Sequence, residues 1–264
     1  MESSKHPDRG RRGFLGLAGA ALLGALAARP RAARPADEKT ARRMKIGVIG
    51  SGRIGGRLGE LWVKAGHEVV FSARTIEEVN ELVARLGLGP AARAGTPREA
   101  AVFGEVVLIS VPYHAVPQLG RDLAAELKGK VVLETGNPYP SRDGNMAREA
   151  RAKGTGVASA EFLPGVRLVR AFNSVSYLAL RSEAHRPGER VAIPLAADDE
   201  AALKIAARLV EDAGFEAVAV GPLSRAKEFD VDTLVYGRAL TARDRKSTRL
   251  NSSHSRASRM PSSA

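Results

Sequence analysis

Seven consecutive residues, Gly50-Ser51-Gly52-Arg53-Ile54-Gly55-Gly56, carry the spacing G-x-G-x-x-G, and the chemistry this spacing serves is the holding of a pyrophosphate. Gly50 permits a tight turn, Gly52 leaves room for a phosphate to reach the backbone, and Gly55 lets a helix pack closely on the strand before it. The anion is then met by free N–H groups at the helix N-terminus. Such a pattern is weak by itself, and its context decides. Met44-Lys45-Ile46-Gly47-Val48-Ile49 reads as a buried strand running into the loop, and Leu58, Leu61, Trp62 and Ala65 mark an apolar-periodic helix leaving it. The plainer alternative, a glycine-rich structural turn, does not call for this framing.

The choice of dinucleotide is set where the second strand ends, at Glu68-Val69-Val70-Phe71-Ser72-Ala73-Arg74-Thr75. An NAD-binding chain places Asp or Glu there to accept from the ribose 2′-hydroxyl. This chain has no acid there and offers Arg74, a planar, permanently charged fork that matches a 2′-phosphate, with Ser72 and Thr75 as hydroxyl donors beside it. NADP(H) is therefore the expected cofactor. A solvated loop cation is the other reading of Arg74.

Three further positions fall where ligands bind in open parallel sheets, outside the carboxyl ends of the strands. The fourth strand, Val106 to Val111, runs into Pro112-Tyr113-His114, where a nicotinamide ring would lie. His114 has two readings, a hydrogen bond to cofactor or substrate and a solvent-facing histidine at a helix start. Asn137 and Asn173 follow the fifth and sixth strands, and each can line the pocket or simply serve a turn or cap. No Tyr/Lys or His/Asp pair stands out, so the catalytic residues are unknown at this point. Direct hydride transfer between two bound rings asks mainly for proximity and orientation. No metal ligands are expected.

The elements that must position these residues alternate short β-rich runs with longer segments of helical period, which predicts an α/β fold: a Rossmann-type, doubly wound, mostly parallel sheet. Strands are expected near 45–50, 68–72, 91–94, 105–111, 130–134, 167–172, 190–195 and 216–220. Helices are expected near 53–65, 76–86, 97–103, 114–127, 143–153, 174–181, 199–213 and 223–240. Gly66 and Gly214 read as helix stops, and Thr75 with Glu78 as a capping box.

Both ends of the chain differ from its middle. Residues 1–43 and 244–264 carry +6 and +4 of the formal net charge of +12, so about +2 remains for residues 44–243. A pI near 10 raises nucleic acid as a partner only if the folded domain has a basic face, and here the charge sits in the ends, so no nucleic-acid partner is expected. Arg11-Arg12-Gly13-Phe14-Leu15, an apolar run from Phe14 to Ala28 and the small residues Ala25-Leu26-Ala27 make an export signal of twin-arginine type. With its removal no membrane contact is expected, and the mature protein is periplasmic or otherwise outside the cytoplasm. The alternative is a true start at Met44 and a cytoplasmic protein. At the other end, Asp244 to His254 and Ser258 to Ala264 look like the translation of a sequencing adapter, and residues 244–264 are expected to be an artefactual, disordered tail; a natural Ser/Arg-rich tail is the alternative. The organisation expected is thus signal and linker over 1–43, a dinucleotide-binding domain over 44–222, a truncated helical segment over 223–243 and the tail. Zero cysteines exclude disulfides and thiol catalysis.

With Gly50 to Gly56, Gly66-His67-Glu68-Val69, Arg74, Val111-Pro112, Ala171-Phe172-Asn173, Ala196 to Glu200 and Gly214-Phe215 in hand, the chain resembles the NADPH-dependent reductases of the deazaflavin coenzyme F-420 (F420) from about Met44 to Leu223. The resemblance implies hydride transfer between nicotinamide and deazaflavin, and NADP contacts at Ser51, Gly52, Arg53, Ile54, Arg74, Val111 and Pro112. The partner implied is a small-molecule redox acceptor, and a homodimer is compatible with it. Ala73 departs from the family, which commonly has Ser before the 2′-phosphate arginine, and an exported copy is unexpected for a cytoplasmic redox partner. An NADP-dependent reductase of another small acceptor (an imine, a carbonyl or a metal complex) and a non-catalytic NADP(H)-binding protein are the two competing functions.

Overall fold

The structure, a computed structural model, describes residues 43–245. The expected export signal and all but the first two residues of the expected tail lie outside them.

The chain runs β1 (Lys45–Ile49), α1 (Gly55–Lys64), β2 (Glu68–Ser72), α2 (Ile76–Leu86), β3 (Ala92–Ala94), α3 (Pro97–Phe103), β4 (Val106–Ile109), α4 (Val116–Asp122), α5 (Ala124–Leu127), β5 (Val131–Glu134), α6 (Pro140–Lys153), α7 (Thr155–Phe162), β6 (Arg167–Arg170), α8 (Tyr177–Ser182), β7 (Ala192–Ala197), α9 (Glu200–Asp212) and β8 (Glu216–Gly221). The eight strands form one sheet in the order β3-β2-β1-β4-β5-β6-β7-β8. The first six follow the Rossmann order and are parallel, whereas β7 joins β6 antiparallel and carries β8 parallel to itself. The expected fold class is the one observed.

Alternation along the strands builds two cores. Ile46, Val48, Val69, Phe71, Leu108 and Leu133 face α1, α2 and α9 on one side, and Ile49, Val70, Val107, Ile109 and Val132 face α3 to α7 on the other. The indole of Trp62 in α1 donates to the Leu209 carbonyl of α9 at 2.8 Å and so ties two helices of one layer. Gly66 and Gly214 end their helices at φ +98° and +89°. Thr75 caps α2 by accepting from the Glu78 N–H, but the reciprocal capping box forms at Thr96 and Glu99 instead.

Four expected elements differ. The helix expected over 114–127 is a 3₁₀ turn (Tyr113–Ala115) followed by α4 and α5, broken at Leu123, which turns inward to the core. The helix expected over 143–153 is preceded by one turn from Pro140 and interrupted at Gly144, whose φ of +64° no helix contains. It is followed by α7, which the glycines at 154 and 156 disguise as a loop. The helix expected over 223–240 is a 3₁₀ segment (Leu223–Glu228) and then irregular chain, because Phe229 and Val235 bury themselves against Ala196 and Ala226 without a helical period. Lastly, Asp244 and Arg245, assigned to a disordered tail, belong to a short helical turn capped by Thr241, and the Arg245 guanidinium is buried with its Nε donating to the Ala192 carbonyl at 2.9 Å. Among the described residues no helix is long and apolar enough to cross a membrane.

Candidate active site

Parallel register sets the ends of β1, β2 and β4 side by side: Ile49 pairs with Ser72 on one flank and with Ile109 on the other. Everything that follows these three strands therefore converges on one crevice, at the point where the strand order reverses from β1 toward β4. The glycine loop fills it. Gly50 has φ +95°, and a Cβ there would stand 2.3 Å from the Ser110 carbonyl and 2.8 Å from Val111, so only glycine fits between the two strand ends. At Gly52, by contrast, nothing lies within 4 Å of such a Cβ. A Cβ at Gly55 would meet the Gly50 carbonyl at 2.1 Å and the Ser110 side chain at 3.1 Å, so the helix starts close against the ends of β1 and β4, and one turn later Gly59 lies against the Phe71 ring.

The loop is fastened from below by one carbonyl. The Ser72 oxygen accepts from the N–H groups of Gly50 and Ser51, at 3.0 and 2.9 Å, and from the Ser51 hydroxyl at 2.9 Å. Among the described residues the N–H groups of Gly52, Arg53 and Ile54 donate to no backbone carbonyl. No acidic side chain occupies the first turn of α1 and no side chain caps it. An open space at Gly52, free N–H groups around it and an uncapped helix N-terminus are the features a pyrophosphate requires, so the residues present fit the group.

Ser72 corrects one expectation. Its hydroxyl is wholly buried and donates to the Val48 carbonyl at 2.9 Å, because strand alternation turns position 72 into the layer rather than toward solvent. Ser72 acts through its carbonyl on the loop and offers no hydroxyl to a 2′-phosphate. Arg74 and Thr75 are exposed just beyond it. Arg53, in the loop, lays its guanidinium over the Tyr177 ring at 4.8 Å.

Across the crevice the end of β4 places Val111 against Gly50 and continues into Pro112-Tyr113-His114. Tyr113 is buried, its hydroxyl 3.1 Å from Ser159, and burial followed by the nearby Glu134 charge raises that hydroxyl above the ordinary phenol range. His114 therefore faces out. Its Nδ1 lies 2.8 Å from Oδ1 of Asp143, a carboxylate with a fully buried side chain that also accepts from Arg142 Nε and Nη2 and from the Tyr139 N–H. Burial alone would raise the Asp143 carboxyl, yet these donors outweigh it and hold it well below the ordinary carboxylate range. This histidine–aspartate pair was not visible in the sequence.

Asn137 donates to the Asn173 carbonyl at 2.8 Å and to the Tyr236 hydroxyl at 3.2 Å, and Tyr236 in turn bonds the Tyr139 hydroxyl. Burial and that bond push the Tyr236 hydroxyl up. Two asparagines from different strand ends, a tyrosine from the loop after β5 and another from the irregular C-terminal chain thus form one polar strip beside His114. Among the described residues Asn137 Oδ1, Asn173 Oδ1 and Ser174 Oγ have no partner there. Beneath the strip, the last residues of β5 and β6, Glu134 and Arg170, are register partners and form a fully buried ion pair. Arg170 also donates to the Gly136 carbonyl at 2.8 Å and to Asp230 at 3.1 Å, so it fixes the loop that carries Asn137 and Tyr139. Burial pushes the Glu134 carboxyl up and Arg170 draws it back.

Fold and crevice define the class, a Rossmann-type dinucleotide-binding enzyme. Within it, residues 45–138 match the family described as NADP oxidoreductase, coenzyme F420-dependent, a span that runs from β1 through the loop after β5, and the protein is an NADP-dependent oxidoreductase. The fold is shared with the hypothetical protein SMa0349 of Sinorhizobium meliloti (20% identity, TM-score 0.66, covering 75% of this chain and 95% of that one). It is shared also with a provisionally assigned F420-dependent NADP reductase of an Arthrobacter species (18% identity, TM-score 0.57, 70% and 87%). An imine reductase from Myxococcus stipitatus in complex with NADP+ is similar over 81% of this chain, which spans 62% of that longer protein (18% identity, TM-score 0.51).

Proposed function

We propose that the protein passes hydride between NADP(H) and a deazaflavin coenzyme of the F420 type. The observation that carries the reading is that the segment matching the F420-dependent family, residues 45–138, contains the cofactor half of the crevice: the glycine loop, the acid-free end of β2 with Arg74, and the β4 end. NADPH, when bound, supplies the hydride.

The roles follow from placement. Gly52, Arg53 and Ile54 meet the pyrophosphate through their N–H groups, with Gly50 and Gly55 shaping the loop and Ser51 locking it to Ser72. Arg74 and Thr75 take the 2′-phosphate. Val111 and Pro112 back the nicotinamide, and His114, Asn137 and the tyrosine pair face the acceptor. The twin-arginine-like start supports export of the protein already folded around its cofactor, since that route carries folded chains.

The test is anaerobic mixing of the protein with NADPH and a panel holding a deazaflavin, a cyclic imine and a carbonyl, followed at the NADPH absorbance. Oxidation with the deazaflavin alone supports the reading. Oxidation only with an imine or carbonyl transfers the chain to another acceptor class, and tight NADPH binding with no turnover makes it a sensor.

A further inference from the structure

An uncharged acceptor that gains a hydride becomes an anion and returns to neutrality only by also gaining a proton, and the cofactor half of the crevice cannot provide it. The glycine loop and the β2 end offer two arginines, two serines and a threonine, none of which releases a proton near neutrality. On the opposite wall stands His114. We propose that His114 is the proton donor to the hydride acceptor, and the proton acceptor in the reverse direction, with Asp143 as the residue that positions it. The proposal rests on the hydride-transfer reading above.

Four features of the pair point this way. The 3₁₀ turn buries Tyr113 and fastens it to Ser159, which leaves the next residue no direction but outward, and the His114 side chain is 54% exposed. Its backbone reaches the crevice through Val111, the residue in contact with Gly50. Its Nδ1 is engaged by Asp143, and a carboxylate held ionised accepts only, so the Nδ1 proton is fixed and Nε2 is the nitrogen left to exchange a proton. Asp143 itself is immobile. Arg142 holds it through two bonds of 2.8 Å, Tyr139 N–H through one of 2.9 Å, and these donors with His114 are the charged and polar groups that surround it. A stability role explains the arrangement poorly, because Asp143 already has Arg142 and Tyr139, and a half-exposed histidine–carboxylate contact adds little to a fold. What the contact does achieve is to fix one tautomer and one ring orientation, as the carboxylate of a catalytic triad does for its imidazole.

In the direction of acceptor reduction, a C–H bond breaks with its electron pair on the reduced nicotinamide and a C–H bond forms at an electron-poor carbon of the acceptor. The electron pair displaced onto the conjugated ring nitrogen takes the Nε2 proton of His114 in its doubly protonated form, which leaves the neutral ring with its proton on Nδ1 against Asp143, and water then returns a proton to Nε2. The nicotinamide loses two electrons and the acceptor gains them. The strip of Tyr139, Tyr236 and Asn137, joined to the pair through the Tyr139 N–H on Asp143, supplies hydroxyl and amide groups suited to the polar edge of a planar ring that carries nitrogen and oxygen.

The experiment has three arms. In the first, diethyl pyrocarbonate labelling read by mass spectrometry should modify His114 quickly and spare the buried His67, and saturating NADP+ should slow the reaction at His114. Labelling indifferent to NADP+ overturns the placement. In the second, His114→Gln should lower kcat by about 100- to 10,000-fold with the NADPH dissociation constant unchanged, and free imidazole should restore part of the rate to His114→Ala. Unchanged kcat, or a loss carried entirely by NADPH affinity, overturns the proposal. In the third, the double variant of Asp143→Asn with His114→Gln should be no slower than His114→Gln alone, the pattern of two residues acting as a unit, whereas a merely structural Asp143 adds its loss in full. Failure of the hydride-transfer reading is distinct: the unaltered protein then fails to bind NADPH or to oxidise it with any acceptor, and the proposal falls with it.

Discussion

Along the carboxyl edge of the sheet, the half built on β1 to β4 presents backbone to the crevice and the half built on β5, β6 and the C-terminal chain presents side chains. The first offers N–H groups without backbone acceptors, missing Cβ atoms and the exposed Arg74. The second is a connected network in which the buried Glu134 and Arg170, with the partly buried Asp230, lie beneath Asn137, Tyr139 and Tyr236, with His114 and Asp143 at the junction of the halves. A phosphate-binding loop needs space and donors, which glycine supplies wherever it occurs. A surface that receives a second ring needs oriented hydroxyl, amide and imidazole groups, and orientation has to be supplied by a further layer of charged residues.

The sharpest way to break this contrast is to remove the buried layer under the second half. In Arg170→Met, Glu134 is left in the core without its guanidinium, and stability should fall by about 3–5 kcal/mol, on the order of 10 °C in Tm. The pH dependence supplies a sign. Burial raises Glu134 above its unfolded value, so with Arg170 gone the folded state binds a proton that the unfolded state has released. The stability associated with that proton is full below about pH 4.3 and is lost as pH rises through the folded value, so the variant should be less destabilised at pH 5 than at pH 8. Denaturant unfolding at the two pH values measures it, and an equal deficit at both would mean that Glu134 does not sense Arg170.

The same contrast explains what could be read before the structure. The strands were legible because most are short runs rich in Val, Ile and Leu bounded by glycine or a charge, and the glycine loop because its spacing resides in contiguous residues. The strip was not. His114 and Asp143 are 29 residues apart, and Asn137 and Tyr236 are 99 apart; no local spacing encodes a contact that only the register of β5 and β6 and the bend after Phe229 create. The bend itself was misread as helix because Ala226, Phe229 and Val235 are apolar without regard to period, their positions fixed by the groove over Ala196. Ser72 failed for a smaller reason: its type suits a phosphate, but its parity on the strand turns it inward.

In the first half the sharper test is Gly52→Val. Because nothing lies near a Cβ at that position, the apo protein should keep its stability to within about 0.5 kcal/mol. The added side chain occupies the space at the free N–H groups, so NADPH affinity should drop by about 100-fold or more, some 2.7 kcal/mol. Calorimetric titration and apo melting on this one variant separate site from scaffold, and a lowered apo Tm would assign the glycine to folding. Arg74→Ala should act more narrowly. NADPH binding should weaken by about 1.5–3 kcal/mol while NADH binding stays as it was, so the preference between the two largely disappears. Equal affinities for NADPH and NADH in the unaltered protein would remove the 2′-phosphate role altogether.

The smallest effect concerns the opposite edge of the sheet, where a second histidine has the contrary task. His67 precedes β2 and is buried; its Nδ1 accepts from the Met44 N–H at 3.1 Å and its Nε2 lies 3.0 Å from Asp212 of α9. It thereby joins the start of β1 to a helix from the second half of the chain. Desolvation lowers its pKa, and the aspartate only partly offsets this. The hydrogen bonds give the same answer, since an Nδ1 that accepts from a backbone N–H has no room for a proton. A histidine depressed in the folded state contributes stability that is present above its unfolded value, about 6.5, and is lost as pH falls toward the folded value, at no more than about 1.4 kcal/mol per pH unit. Urea unfolding between pH 7 and 5.5 should therefore show a slope in the unaltered protein that His67→Asn lacks, while NADPH affinity at fixed pH is the same in both. If the two slopes coincide, His67 is already titrating freely in the fold. If cofactor affinity changes instead, the two edges of the sheet are coupled, and the separation between a backbone-built cofactor half and a side-chain-built acceptor half does not extend through the layers beneath them.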